Sequence, residues 1–268
     1  MNKFVLACLL SFLSISAFAQ PFRVLDSVEV AHETISVDSY GNVYVTTSRG
    51  VILRYDSLLQ LLPTNYSPEK NIAISLLEAR NSLRIVAFCR DNQEYTFVDR
   101  FLTSIETATF SEQEVGFARL VAPALDNQLW VLDDTDFSLK KYAMQQEKTV
   151  IKTSLDLLVG VGSYDFVFLT EYQNQVFLVD KTNGILVFDN MGTFRRKLPI
   201  KNATYLSFDW ETAWFTDGYE LIGEHLYKEE TKRIPLPLQY QKITKKVILL
   251  GTKCYLFTGT KIILLDFS

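Results

Sequence analysis

Two histidines, His32 and His225, make up the whole histidine content of this 268-residue chain. A histidine general base or a zinc site would have to be built from one or both of them. His32 lies between two predicted strands, where it is either a solvated residue or a ligand contact, since connections carry function more often than strands do. His225 follows Glu224 in a charged hairpin and is predicted to be exposed. We therefore predict no catalytic residue.

Acidic side chains that could bind calcium are grouped in the sequence Asp-Asp-Thr-Asp at 133–136. This group resembles half of a calcium-binding loop, but it lacks the glycine and the distal bidentate glutamate of such loops. We interpret it as the polar tip of a hairpin. Asp38, Asp165 and Asp209 lie at the ends of predicted strands and are interpreted as turn residues. No metal and no cofactor are expected.

The first 19 residues have the pattern of a secretory signal peptide: Lys3, an apolar run at 4–18 and Ala-Phe-Ala at 17–19 as the cleavage site. The run is shorter than the roughly 20 apolar residues that cross a membrane, and no later segment is long enough. We predict export to the periplasm or the extracellular space, with residues 20–268 forming a single domain. The net charge of −4 and the lack of a basic tract argue against nucleic acid and anionic membranes as partners.

Three cysteines occur, and the first, Cys8, falls in the predicted leader. Its context, Val-Leu-Ala-Cys, resembles a lipoprotein processing box, but the apolar run before it is shorter than the roughly 7 to 15 residues that a leader needs. We interpret Cys8 as part of the leader core. Cys89 and Cys254 remain in the mature chain, too few for a disulfide-stabilised small domain.

The elements that position these side chains are short strands that recur about every 40 residues. The clearest unit is 35–56, where apolar residues alternate as in half-buried strands and two turn signals separate three strands. Weaker copies follow, and we count six units of four strands, with the first strand of the second unit predicted at 72–76. An aspartate that ends a third strand suits a turn into the fourth strand. Three third strands end in this way, at Asp56, Asp189 and Asp266.

The last unit has only three strands, and the first strand of the mature chain, at about 22–30, has no unit of its own. If this strand pairs with 261–266, the ring closes without a free edge. The sequence therefore predicts an all-β, six-bladed β-propeller of four-stranded antiparallel blades. Cys89 and Cys254 then lie in blades two and six, farther apart than the roughly 7 Å between Cα atoms that a disulfide allows. We predict two buried free thiols.

The sequence Asp-Ser-Tyr-Gly-Asn-Val-Tyr-Val at 38–45, and more weakly that at 126–131, resembles the repeat core of NHL-like six-bladed propellers. Residues 187–194 resemble the hairpin between the third and fourth strands of the same repeats. The resemblance implies the fold, and no single function, because propellers host hydrolases, lyases, lectins and scaffolds. Lactonase-like propellers hold a channel calcium through Asp, Asn and Glu, so a metal-dependent hydrolase or lyase at the channel is one alternative. Four predicted inner strands are mostly apolar and carry no carboxylate for it.

Trp130, Trp210 and Trp214 are interpreted as packing between blades, because large aromatic side chains fill the space between stacked sheets. A sugar-stacking role of Trp210 or Trp214 stays open, and a carbohydrate-binding propeller is therefore the third hypothesis. The short basic run at 195–197 is interpreted as protection of an outer strand against pairing at its edge.

The first hypothesis is an exported, non-enzymatic propeller that acts as a scaffold for a protein or peptide partner. In a propeller, the hairpins between second and third strands share one face with the links between blades. Here this face gathers mixed charges and an aromatic side chain, which suits a protein partner more than a buried small molecule. The predicted partner-binding rim consists of His32, Glu33, Arg49, Tyr66, Arg90, Asp134, Asp136 and Asn183.

Overall fold

The computed structural model describes residues 22–159 and 164–267, which consist almost entirely of β-strands. These strands form six antiparallel sheets of four strands each. The helical segments of the described chain are two 3-10 helices, Met144–Gln146 and Leu238–Tyr240, and none of its helices is long and apolar enough to cross a membrane. The predicted all-β, six-bladed propeller is confirmed. The predicted signal peptide at 1–19 lies outside the described residues.

The strands follow the chain from blade to blade, after an initial strand β1 (Phe22–Glu29). Blade 1 contains β2 (Ile35–Val37), β3 (Val43–Thr46), β4 (Ile52–Tyr55) and β5 (Leu61–Tyr66). Blade 2 contains β6 (Leu76–Glu78), β7 (Ile85–Cys89), β8 (Glu94–Val98) and β9 (Ser104–Thr109). Blade 3 contains β10 (Ala118–Pro123), β11 (Leu129–Asp133), β12 (Ser138–Ala143) and β13 (Lys148–Ser154).

The second half of the ring repeats this arrangement. Blade 4 contains β14 (Phe166–Tyr172), β15 (Gln175–Asp180), β16 (Gly184–Asp189) and β17 (Phe194–Leu198). Blade 5 contains β18 (Ser207–Asp209), β19 (Thr212–Thr216), β20 (Glu220–His225) and β21 (Thr231–Pro235). Blade 6 combines β1 with β22 (Lys246–Leu250), β23 (Lys253–Phe257) and β24 (Lys261–Phe267).

The ring is closed by β1, which pairs antiparallel with β24 as the outer strand of blade 6. The register runs from Phe22 opposite Phe267 to Glu29 opposite Lys261. Because the first and last described strands share one sheet, the seam leaves no free strand edge. The predicted pairing of the N-terminal strand into the last blade is confirmed.

The core lies between neighbouring blades. The strands β7 and β11 are buried along their whole length, as expected for continuous apolar runs that are covered on both faces. The outer strand β13 instead alternates between exposed and half-buried residues. Aromatic side chains fill the space between blades 2 and 3, where the ring centroid of Phe110 lies 5.0 Å from that of Tyr95 and 5.2 Å from that of Tyr142.

The two faces of the ring differ in the connections that they carry. We call the first the turn face, because it carries the hairpins from first to second strand and from third to fourth strand. We call the second the link face, because it carries the hairpins from second to third strand together with the links between blades. The innermost strands, β2, β6, β10, β14, β18 and β22, surround the central channel and end at the turn face.

The inner strand of blade 2 is Leu76–Glu78, whereas the sequence pattern predicted 72–76. Ile72 and Ile74 gave the apolar signal, but both belong to the link from blade 1, and Ile74 is buried there. Burial in a link and burial in a strand leave the same apolar signal in the sequence, so periodicity alone misplaced this strand. The shift matters for the site, because it brings Glu78 into the inner strand.

Candidate functional site

All eight residues of the predicted rim lie in segments of the link face. His32 and Glu33 belong to the link from β1 to β2, and Tyr66 ends β5. The other five lie in hairpins between second and third strands: Arg49, Arg90, Asp134, Asp136 and Asn183. Their common face follows from the topology. Partner binding at these residues stays a prediction.

Half of the rim residues are exposed, namely Glu33, Arg49, Arg90 and Asp134. His32 is half-buried, and its Nδ1 atom lies 2.9 Å from the carbonyl oxygen of Val30. Burial lowers the pKa of His32, and the nearby positive charges of Lys246 and Lys245 lower it further against the effect of the Val30 carbonyl. The rim is therefore a mixture of solvated charges and side chains that already contact the protein.

The acidic group of blade 3 is in part a structural anchor, and only part of it forms the predicted hairpin tip. Asp133 is fully buried; it accepts bonds from the N–H groups of Gly116 and Phe117 at 2.8 and 3.1 Å and binds Lys140 Nζ at 2.7 Å. Lys140 also binds Asp136 at 2.9 Å. Burial alone would raise the pKa of Asp133, but Lys140 and the backbone donors hold it below its usual range. These carboxylates are occupied by internal partners.

Four turns on the turn face repeat one geometry. In each, the aspartate Oδ1 atom accepts bonds from the N–H groups two and four residues further on, at 2.8 to 3.0 Å. The turns begin at Asp38, Asp56, Asp99 and Asp189. The turn role predicted for Asp56 and Asp189 is confirmed. Asp266 differs, because it binds Arg23 of β1 at 3.1 Å.

The third residue after the aspartate adopts a positive φ angle in all four turns. Two turns use glycine there, Gly41 and Gly192, because glycine adopts a left-handed conformation with the least strain. The other two use Leu59 and Leu102, whose side chains are buried in the core. Burial of the leucine side chain offsets the strain of its backbone. The two leucine turns are therefore fixed both by their hydrogen bonds and by a contact with the core.

Each of these turns holds a large apolar side chain in solvent, two residues after the aspartate: Tyr40, Leu58, Phe101 and Met191. Other hairpins of the turn face add Leu83, Leu125, Trp210 and Tyr227. On the link face, the described hairpin tips carry one exposed large apolar residue, Tyr219. The remaining exposed apolar residues of that face lie in its links: Phe117, Leu157, Tyr164, Leu238 and Ile243. The hairpin tips are thus apolar on one face and mostly polar on the other.

A cleft of about 490 Å³ opens on the turn face beside blades 2, 3 and 4. Its apolar lining includes Val86, Phe97, Ala124, Leu125 and Met144, and its polar lining includes Glu78, Arg80, Arg84, Gln128 and Glu171. An apolar cavity with a few converging polar groups is the usual form of a ligand site. Two of its buried atoms, Gln128 Oε1 and Arg84 Nε, have no hydrogen-bond partner in the described structure. Buried polar atoms without a partner are uncommon in folded proteins.

Arg80 spans the channel mouth from blade 2 to blade 4. Its Nε atom binds Glu78 Oε1 at 3.1 Å. Its Nη2 atom donates to Thr170 Oγ1 at 2.7 Å and to the carbonyl oxygen of Glu171 at 3.2 Å. Burial would lower the pKa of Arg80, but the charge of Glu78 raises it. The guanidinium therefore stays charged and ties together two blades that are not neighbours in the ring.

Glu171, near the end of β14, connects the cleft to the core. Its Oε2 atom accepts bonds from the indole N–H of Trp130 at 2.7 Å and from the N–H of Leu125 at 3.4 Å. Trp130 is fully buried, which confirms its predicted packing. The next residue, Tyr172, stacks on Phe208 with ring centroids 4.4 Å apart. The cleft therefore rests on fixed contacts among blades 3, 4 and 5.

A second depression of the turn face, also of about 490 Å³, lies beside blades 4 and 5 and shares Gln173 with the cleft. Trp210 lines it and is 81% exposed. The predicted packing between blades is wrong for this residue, because Trp210 occupies the tip of the β18–β19 hairpin at φ 51°. Trp214 is only 6% exposed and packs in the core, as predicted.

His225 is half-buried in this second depression, although the sequence predicted an exposed residue. Its Nδ1 atom accepts a bond from the N–H of Tyr227 at 3.1 Å. Its Nε2 atom lies 3.5 Å from Glu211 Oε2. The imidazole is thus held by its own hairpin and by a carboxylate, on the face opposite to His32.

Groups that could support metal or thiol chemistry are scarce in residues 22–159 and 164–267. Within these ranges no three His, Cys, Asp or Glu residues form a possible metal site. Cys89 and Cys254 are free and buried, which confirms their prediction. Burial raises the pKa of Cys89 to about 11 and that of Cys254 to about 12, so neither thiol is reactive at neutral pH.

Sequence reasoning missed the charged residues of the cleft, Glu78, Arg80 and Glu171. A signal was present, because the apolar inner strand of blade 2 ends on a glutamate and that of blade 4 carries one at its second-last position. Because the inner strand of blade 2 was predicted at 72–76, Glu78 was not recognised as part of it. The contact from Arg80 to Thr170 joins residues 90 positions apart, and no local pattern indicates it.

No protein-family profile matches the chain, and no curated protein matches it in sequence. Solved structures do match. A catalytically inactive variant of virginiamycin B lyase from Staphylococcus aureus, solved with quinupristin, is 12% identical over 91% of this chain and 99% of its own, with a TM-score of 0.62. The β-propeller domain of Myceliophteria thermophila Cps50 (Swd1) is 10% identical over 92% and 100%, with a TM-score of 0.64. BamB from Moraxella catarrhalis is 10% identical over 89% and 86%, with a TM-score of 0.50.

These likenesses show the fold. The chain is a six-bladed β-propeller, and its resemblance to NHL-like propellers is consistent with these neighbours. At such low sequence identities the neighbours carry no information about activity or partners.

Proposed function

We propose that the chain is an exported, non-enzymatic β-propeller that acts as a scaffold and binds a protein or peptide partner through its turn face. The proposal depends above all on the eight exposed apolar side chains at the hairpin tips of this face. Apolar groups held in water are typical of interaction surfaces, and aromatic residues are frequent anchors of protein interfaces. The adjoining cleft is concave, and its lining of apolar side chains with a few polar groups is typical of a binding site.

The aspartate turns make these apolar side chains effective anchors. In the turn at Asp99, the carboxylate binds two N–H groups, and the N–H of Leu102 donates to the Asp99 carbonyl oxygen at 2.9 Å. The loop that presents Phe101 is therefore ordered before any partner arrives. Preorganised loops lose little conformational entropy on binding, so more of the burial energy appears as affinity.

The cleft favours an extended peptide segment of the partner. The unpartnered Gln128 Oε1 atom needs a donor, and the unpartnered Arg84 Nε atom needs an acceptor. A peptide backbone supplies an N–H donor and a C=O acceptor in every residue except proline. An apolar side chain of the same segment would contact Phe97 and Leu125, which line the cleft.

Affinity capture from the native cell envelope, followed by mass spectrometry, tests the surface. The variant Leu125→Ser/Trp210→Ser removes two turn-face anchors, and Arg49→Ala/Arg90→Ala is the matched change on the link face. We expect the turn-face variant to lose a partner that the wild type and the link-face variant both retain. Loss of that partner from the link-face variant alone would move the site to the predicted rim.

Export is supported by the leader predicted at 1–19. N-terminal sequencing of the protein from its native cell should find a mature chain that begins near Gln20. An uncleaved chain in the cytoplasm would contradict export, and a lipid-modified chain beginning at Cys8 would restore the lipoprotein interpretation.

Carbohydrate binding is the second candidate, and the exposed Trp210 favours it. Its indole lies beside a depression that is also lined by Glu211, Lys228 and Glu230, and sugars stack on exposed aromatic rings through their apolar faces. A glycan-array signal that disappears in Trp210→Ala would support this function. For the metal-dependent hydrolase or lyase, metal analysis of the purified protein is decisive, because a stoichiometric calcium would contradict the scaffold proposal.

A further inference from the structure

A third concave site lies on the link face between blades 5 and 6, and has a volume of about 660 Å³. It is enclosed by the link from β17 to β18, the hairpin between β19 and β20, and the link from β21 to β22. Basic and hydroxyl side chains dominate its lining. We call it the lysine site; it contains Lys242, Lys245, Lys246, Thr204, Thr216 and Thr244.

The three lysines of this site have no acidic partner in the described chain. The ion pairs within 4.0 Å among the described residues are all formed by cations other than these three lysines. Asp217 also lines the site, but its Oδ1 atom is occupied by the N–H groups of Tyr219 and Glu220, both at 2.9 Å. The chain as a whole has 31 acidic and 27 basic residues. Three lysines and one carboxylate line this depression, so its positive charge is a local exception in an acidic chain.

Burial makes the lack of a counter-ion costly at Lys246. This side chain is half-buried, and its Nζ atom lies 5.5 Å from the ring centroid of Tyr205. Burial, and then the charge of Lys245, lower the pKa of Lys246. His32 experiences the same positive charges from its place on the link face. The Tyr205 ring offsets part of this cost, and an anion at this position would supply the counter-ion that the protein lacks.

We propose that the lysine site binds a phosphate group. A phosphate carries about −1.5 to −2 charges at pH 7 and three acceptor oxygens, which suits a depression lined by three lysines. The Thr216 hydroxyl accepts a bond from the N–H of Gly218 at 2.9 Å, so its proton is free to bind a phosphate oxygen. A carboxylate has one charge and fewer acceptors and should bind more weakly. The lysine site is on the face opposite to the cleft, so this proposal is independent of the proposed partner surface.

Isothermal titration with inorganic phosphate, at constant ionic strength set with chloride, tests the proposal. The test variant is Lys245→Gln/Lys246→Gln, and the control is Lys197→Gln on the outer strand β17. We expect phosphate binding to the wild type and the control, and at least tenfold weaker binding to the test variant. The test variant should unfold at the same temperature as the wild type or higher without phosphate, because it removes an unfavourable charge. Folding and binding are therefore measured separately.

Two further ligands identify the source of the phosphate group. Glycerol 3-phosphate that binds as tightly as inorganic phosphate would support a phosphomonoester ligand, and exclusive binding of inorganic phosphate would support the free ion. Acetate, which carries a single carboxylate, should bind more weakly than either. No phosphate binding to the wild type, unchanged binding to the test variant, or an equal loss in Lys197→Gln would overturn the proposal.

Discussion

The two faces of this propeller are connected by the same strands but carry different side chains. Most hairpin tips of the turn face hold apolar side chains in water, whereas those of the link face are mostly polar. On the turn face, aspartate turns fix the loops, as at Asp38 and Asp99. On the link face, the blade 3 hairpin is fixed by the buried ion pair of Asp133 with Lys140. The blades thus determine the ring, and the connections determine what each face can bind.

The turn face is therefore the favoured partner surface, in place of the rim that the sequence predicted on the link face. The charges of Arg49, Arg90 and Asp134 pointed to that rim, but solvated surface charges contribute little binding or stability on their own. Apolar side chains gain about 25 cal/mol for each Å² that a partner removes from water. The rim stays a prediction, and the same partner can test both faces.

The largest expected effect concerns the link face. Asp133→Ala would leave Lys140 with Asp136 as its ionic partner and would leave the N–H groups of Gly116 and Phe117 without their acceptor. Removing one partner of a buried ion pair costs up to about 3 to 5 kcal/mol. We expect a loss of unfolding free energy of this size by chemical denaturation. Asp134→Ala, one residue further on and exposed, should cost less than about 1 kcal/mol. Equal losses would show that the hairpin is not anchored by the buried pair.

The next effect concerns the channel mouth of the turn face. Arg80→Met removes the guanidinium that binds Glu78 and Thr170 and leaves the buried Glu78 carboxylate without its cation, with the backbone N–H of position 80 still bound to it. We expect a loss of about 1.5 to 3 kcal/mol, the range for hydrogen bonds to charged groups. The matched variant Arg49→Met, at an exposed site on the link face, should stay within about 0.5 kcal/mol of the wild type. If Arg80→Met is as mild as Arg49→Met, the bridge across the channel does not stabilise the ring.

A smaller effect is expected for a single aspartate turn. Asp56→Ala removes an acceptor of two backbone N–H groups and should lower the unfolding free energy by about 1 kcal/mol. Asp56→Asn keeps a side-chain oxygen and should lose less. The loop that presents Leu58 should also show faster amide hydrogen exchange in Asp56→Ala. Unchanged exchange would mean that the turn is ordered without its carboxylate.

The smallest expected effect is a pH dependence at His32. Its pKa in the folded protein lies below the ordinary value of 6.5, so the unfolded chain takes up the proton first as the pH falls. The stability contributed by neutral His32 is complete above pH 6.5 and decreases as the pH falls from 6.5 through the lowered pKa. The difference in stability between wild type and His32→Gln should therefore vary in this pH window. A constant difference would contradict the lowered pKa.

Much of the fold could be predicted from the sequence because it depends on local signals. Turn chemistry at Asp38 and Asp56 separates strands of alternating polarity, and the blades recur with a regular period. The pairing of β1 with β24 followed from the missing strand of the last blade. The misplaced inner strand of blade 2 shows the limit, because Ile74 is buried in a link and resembles a strand residue.

The candidate site could be predicted only in part because it depends on the closed ring. Arg80 meets Thr170 across the channel mouth, and only the ring brings these distant segments together. Trp210 and Trp214 occur four positions apart in one hairpin, yet one is exposed and the other buried. Their difference depends on where the hairpin tip lies within the blade. Residue type alone therefore does not distinguish a surface aromatic from a core aromatic.

The central claim, that a partner binds the turn face, is tested most directly by site-specific photocrosslinking in the native cell. A photoreactive phenylalanine analogue is placed at Leu125 or Trp210 on the turn face, and at Arg49 or Arg90 on the link face. We predict covalent adducts with one protein partner at the turn-face positions and none with that partner at the link-face positions. Adducts confined to Arg49 and Arg90 would contradict the claim and return the partner to the predicted rim.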